Sequence, residues 1–117
     1  QYEAESSFHD ATGAGRGYAC AGGLAEAIEK CINEYYPDVE VSIEHAEGLA
    51  ECKKTLTLAK AGRLNGCLIE GMGCPGGCIA GAGTNIPVLK AKKDLAAYVK
   101  NSTTPIPPKE LEEIELE

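Results

Sequence analysis

Val39, Val41 and Ile43 alternate with Glu40, Ser42 and Glu44, the two-residue period of a half-buried strand. Leu49, Cys52, Leu56 and Ala59 then recur at helical spacing, Gly62 is a natural helix stop, and Cys67-Leu68-Ile69 is a short apolar run. Strand, helix and strand in this order form a βαβ unit, which predicts a parallel sheet with a right-handed crossover. Two strands are too few for a self-sufficient parallel sheet, which needs both faces covered and its edges managed. The expected fold is therefore α/β: a small parallel sheet built from βαβ units with flanking helices, one lobe of a larger domain. Missing strands would come from sequence outside this chain or from a second copy of it.

The flanking elements follow from the same patterning. Leu24, Ala27, Ile28, Cys31, Ile32 and Tyr35 share one helical face after Ala21, and Pro37 ends that helix. A further helix is expected from Val88 to Lys100, started by Pro87. The first sixteen residues read as a polar, extended lead-in. Thr103 to Pro108 reads as an extended strap and Lys109 to Glu117 as an acidic tail or one short helix, so 101–117 is strap and tail. The polar start at Gln1 leads us to expect an excised piece of a longer chain.

Composition removes several function classes. In 117 residues, a net charge of −7 with no basic stripe argues against nucleic-acid binding and polybasic membrane docking. No apolar run approaches the roughly 20 residues of a spanning helix. Without a secretory signal, a cytoplasmic setting is expected. There, of the six cysteines, the one compact pair, Cys74 and Cys78, favours metal or cluster binding over a disulfide. Cys20, Cys31, Cys52 and Cys67 fall in predicted regular elements and read as small apolar fillers. His9 and His45 are isolated and expected to face solvent. The Lys90-Ala91-Lys92-Lys93 run reads as a solvated helix face.

Only Cys74 and Cys78 form a compact pair, within Glu70-Gly71-Met72-Gly73-Cys74-Pro75-Gly76-Gly77-Cys78-Ile79-Ala80-Gly81-Ala82-Gly83. The run is expected to leave the second strand and open a helix, with Cys74 at the N-cap and Pro75 at the first helical position. Two cysteines one turn apart would then share a face, about 6 Å from each other. A helix N-terminus would favour their thiolates and an anionic cluster, and Gly76 and Gly77 would let a bulky inorganic group approach the backbone. A 4Fe–4S cubane takes four cysteines, and this segment supplies two. A reducible disulfide or half of a zinc site are the plainer alternatives. Met72 alone would pass as core filler, and Glu70 as a hydrogen-bonded strand end.

The run EGMGCPGGCIAGAG is similar to the third cysteine motif of the iron-only (FeFe) hydrogenases. Upstream, Thr12-Gly13-Ala14-Gly15, Tyr18 and Gly22-Gly23-Leu24-Ala25-Glu26-Ala27 resemble the Gly-rich turn and helix of that family. The resemblance covers roughly Ser7 to Val88. It implies that Cys74 and Cys78 ligate the cubane of the active-site cluster, with Cys78 bridging to a linked diiron subcluster where protons and H2 interconvert. Met72 would pack against that diiron unit, and Glu70 would be a buried neighbour, structural rather than the main proton relay. Partners would be the remaining N-terminal part of the hydrogenase domain and a ferredoxin or electron-transfer subunit. The family's first two cysteine motifs are absent here. The chain by itself is accordingly expected to be apo, inactive and prone to self-associate. Gly73 and Ala82 stand where many members carry Ala and Gly, which suggests a divergent branch with a sensory rather than high-turnover role.

A competing reading is a nucleotide-binding module, because Gly71-Met72-Gly73-Cys74-Pro75-Gly76 fits G-x-G-x-x-G after a strand. It leaves the two cysteines without a role. Asp94, at the distance of a ribose-binding acid, falls inside a predicted helix. A third reading is a folded but non-catalytic interaction or sensory domain.

Overall fold

The computed structural model describes residues 11–109. His9, most of the lead-in and nearly all of the acidic tail lie outside them. Among the described residues the chain forms α1 (Gly13–Arg16), α2 (Gly23–Tyr35), β1 (Ser42–Glu47), α3 (Leu49–Lys60), β2 (Cys67–Met72) and α4 (Val88–Lys100). Short 3₁₀ turns cover Gly17–Ala19 and Cys78–Ala80. β1 and β2 pair in parallel, with His45 opposite Glu70 and Glu47 opposite Met72. This is the expected α/β lobe with a two-stranded parallel sheet.

The end of the lead-in is helical rather than extended. Thr12 caps α1 by accepting the Gly15 N–H on its hydroxyl. The strap supplies the rest, because Gly13 N–H and Ala14 N–H donate to the carbonyls of Thr104 and Pro105 at 2.8 and 2.9 Å. Tyr35 donates its hydroxyl to the Pro107 carbonyl at 2.7 Å, so the strap is tied to α2 as well.

The first strand starts later than its alternation suggests. Val39 N–H donates to the Tyr36 carbonyl in a turn after the helix, and Val39 is left exposed. Pairing with β2 decides where β1 begins, at Ser42 opposite Cys67. The second strand in turn runs on through Glu70, Gly71 and Met72, beyond its apolar start.

On α3 the expected apolar face is rotated. Thr55 is buried and Cys52, Leu58 and Ala59 are half-buried, whereas Leu49 and Leu56 are 78% and 62% exposed. The small residues face the sheet because β2 offers little room there: a Cβ on Gly71 would lie 3.3 Å from the Cys52 Sγ. The large leucines point away. The same holds elsewhere, since the buried apolar residues are Ala14, Ala25, Ala27, Ala46 and Ala91, and no large side chain is fully buried among the described residues. α4 matches its predicted span, with Pro87 as the N-cap, Ala91 inward and Lys90, Lys92 and Lys93 exposed.

Candidate functional site

Both strands point their carboxyl ends at the segment that carries Cys74 and Cys78, where ligands of parallel sheets bind. The expected helix does not form there. Pro75 and Gly76 occupy the corner of a β-turn closed by Gly77 N–H donating to the Cys74 carbonyl at 3.0 Å. Pro at the second position and a glycine with φ of +90° at the third are the marks of a type II turn. Gly77 follows with φ of +91°, and two consecutive residues in that region exclude a helix start. Cys78 then opens the 3₁₀ turn instead of sitting one α-helical turn after Cys74.

The glycines are used for close approach. A Cβ on Gly77 would lie 2.4 Å from the Ala21 nitrogen and 2.6 Å from the Ala19 oxygen, so the cysteine turn rests directly on the lead-in to α2. Ala21 N–H donates to the Gly76 carbonyl at 3.2 Å across the same contact. Gly81 brings the chain back beside Cys74, where a Cβ would be 3.5 Å from its Sγ. The six cysteines are all free. Cys74 and Cys78 are exposed, and the other four are half-buried. Cys20 lies in a bend before α2 rather than in a regular element. Cys52 donates weakly to the carbonyls of Ala46 and Met72.

Glu70 is buried on the face of β2 toward α2. Its carboxylate accepts N–H bonds from Gly22 at 2.6 Å, Leu24 at 2.9 Å and Ala25 at 3.2 Å. These are free amides at the N-terminus of α2, where Gly22 has no side chain to cap them. The Glu70 side chain acts as a remote cap and meets the positive end of the helix dipole. Its Oε2 also lies 3.1 Å from Nδ1 of His45, whose side chain is half exposed. His45 is therefore not isolated. Burial alone would raise the Glu70 pKa. The bonds from Ala25, His45, Gly22 and Leu24 outweigh that and hold it below the usual carboxylate range. Met72 is half-buried at the end of β2, and its carbonyl accepts the Gly48 N–H at 2.7 Å.

The iron-only hydrogenase large subunit, C-terminal domain, is the family whose model matches this chain, over residues 1–82. The chain belongs to that family. The matched span takes in 82 of the 117 residues and ends just past the cysteine turn. No curated protein matches the chain. In this hydrogenase-family lobe, the donor set suits half of an iron–sulfur site: two exposed thiols on a bare, glycine-built turn, out of the four that a cubane takes. No group of three or more Cys, His, Asp or Glu converges among the described residues.

The nucleotide reading loses its support on this backbone. No α-helix starts after the Gly71–Gly76 turn until Val88, so there is no helix N-terminus for a pyrophosphate. Asp94 is in α4, paired with Lys90. No helix among the described residues is long and apolar enough to cross a membrane.

One site residue escapes sequence reasoning altogether. The Glu47 Oε2 accepts the Gly76 N–H at 2.7 Å, between the two cysteines. Only the strand register, which ends β1 opposite Met72, could have brought it to notice.

Proposed function

We propose that this chain is the lobe of an iron-only hydrogenase catalytic domain that contributes Cys74 and Cys78 as ligands of the active-site 4Fe–4S cluster. The reaction served is the reversible reduction of protons to H2. The observation that supports this most is the placement of two exposed thiols on a glycine turn at the carboxyl ends of parallel strands, inside the span that the family matches. When bound, the cluster with its linked diiron unit supplies the electron and hydrogen chemistry.

The chain's own residues would position and shield it. Cys74 and Cys78 hold iron, Gly81 keeps the backbone thin beside the Cys74 sulfur, and Gly76 and Gly77 shape the turn and let it rest on the α2 lead-in. Glu70 fixes the α2 lead-in on which the turn rests, and Met72 lies at the strand end beside it. The remaining cysteine ligands come from the rest of the hydrogenase domain, which also covers Leu49, Leu56 and the other exposed apolar residues. A ferredoxin or electron-transfer subunit is the electron partner. Without that covering, the isolated lobe is apo, inactive and self-associating.

The test is iron and sulfide analysis with electron paramagnetic resonance on the full protein, reconstituted without oxygen, beside Cys74→Ala and Cys78→Ala. Each substitution is expected to remove or alter the active-site cluster signal. A complete, unaltered cluster in the double variant would end the proposal.

A further inference from the structure

Gly76 sits midway between Cys74 and Cys78, and both of its backbone polar atoms are engaged from outside the turn. The carbonyl accepts from Ala21. The N–H donates to the Glu47 carboxylate at 2.7 Å. Glu47 itself is anchored at the end of β1: it is in register with Met72, its N–H donates to Glu51 Oε2 at 3.0 Å, and the adjacent Gly48 N–H donates to the Met72 carbonyl. Pro75 packs on Gly48, where a Cβ would lie 3.4 Å from its Cγ. The contact thus joins two fixed backbones through one side chain.

The bond also has an electrostatic side. Among the described residues, the ion pairs join Lys30 to Glu26, His45 to Glu70 and Lys90 to Asp94, and none neutralises Glu47. An uncompensated negative charge therefore lies against the loop that carries both thiols. The potential of a cysteine-held cluster is set by net charge and by hydrogen bonds to its sulfurs. A nearby carboxylate favours the oxidised, less anionic state. An amide N–H within a cysteine loop would raise the potential if it bonded to sulfur, and here the carboxylate has taken it.

From this we infer that Glu47 is a positioning residue of the cysteine turn, and that its charge lowers the reduction potential of the cluster held there. The inference rests on the reading of Cys74 and Cys78 as cluster ligands. Glu47→Gln keeps the acceptor and removes the charge, whereas Glu47→Leu removes both. Gln is a small change at an exposed position, so the turn should persist.

Two measurements separate the roles. Hydrogen exchange of the peptide spanning Gly76, followed by mass spectrometry in the metal-free full protein, should be unchanged in Glu47→Gln and about tenfold faster in Glu47→Leu. In the cluster-loaded full protein, a redox titration followed by electron paramagnetic resonance should show Glu47→Gln shifted upward. The oxidised-to-reduced ratio at fixed potential should fall by about three- to tenfold, or about 28–59 mV for a one-electron couple. Glu34→Gln, an exposed charge change in the last turn of α2, should leave it unmoved. Equal Gly76 exchange in wild type and Glu47→Leu would overturn the positioning role. A Glu47→Gln potential no different from that of Glu34→Gln would overturn the charge role. Either result is distinct from failure of the ligand reading, which shows as a cluster that survives loss of both thiols.

Discussion

Removing the Glu70 carboxylate should cost a large share of the lobe's stability. Glu70→Ala leaves three α2 amides without their acceptor, of which that of Ala25 is buried and those of Gly22 and Leu24 are partly buried. A stranded buried donor costs about 1–3 kcal/mol, and the two that can partly reach water about 0.5–1 kcal/mol each. The expected loss is therefore ~3 kcal/mol, a large share of the ~5–15 kcal/mol that an ordinary domain has in total. Glu70→Gln keeps one acceptor oxygen and should lose about half as much. The pH dependence carries the same signature. The folded pKa of Glu70 is depressed, so its contribution is complete above the unfolded carboxylate value of about 4.3 and is lost as pH falls through the lower folded value. Urea denaturation followed by circular dichroism, at pH 7 and at steps down to pH 3, should show a midpoint that falls with acid. The part of that fall due to Glu70 should vanish in Glu70→Gln. A Glu70→Ala midpoint within experimental error of wild type at pH 7 would refute the capping argument.

Gly77→Ala should destabilise by ~3 kcal/mol or more, because it combines a backbone region open to glycine with a clash against the backbone of Ala19 and Ala21. Gly66→Ala, also at positive φ but with nothing within 4 Å, should cost only ~1 kcal/mol. Equal urea midpoints for the two would show that the close approach is not real. Tyr35→Phe removes the hydroxyl that holds Pro107 and should cost at most ~1 kcal/mol. Limited proteolysis within 101–109 should nevertheless speed up, along with exchange at the Gly13 and Ala14 amides that the strap protects. Unchanged cleavage would separate the strap from that tyrosine.

Much of the lobe could be read from periodicity, and the departures have particular causes. α4 follows its predicted span because one helical run lies between a proline and a polar stretch. α2 was legible too, except that Ala25 rather than Leu24 turns inward. Leu49 and Leu56 were misplaced because spacing shows that residues share a face, not what the face meets. The cysteine segment departs from its expected helix for a different reason. Pro75-Gly76 is a turn signal as well as a helix-start signal, and the second glycine decides between them by allowing a further positive φ. The burial of Glu70 is what the family resemblance implies. Its hydrogen bonds were not legible, since they reach 45 to 48 residues back to amides that carry no side-chain signature.

The placement of polar contacts follows from how little apolar packing this lobe has. On the proposed reading the cysteine turn would need its backbone fixed closely to hold a rigid inorganic group, and packed side chains usually do that. Among the described residues the buried apolar ones are alanines, while ten large hydrophobic residues are exposed. Close positioning falls instead to two carboxylates, Glu70 within β2 and Glu47 at the end of β1, each bonded to backbone N–H. Glu70 sets the α2 lead-in against β2, and Glu47 sets the turn against β1. The Ala21–Gly76 bond joins the two arrangements. Loosening either carboxylate should therefore disturb the thiols without touching them. A second lobe laid over Leu49 and Leu56 would add the apolar packing and leave those polar contacts in place.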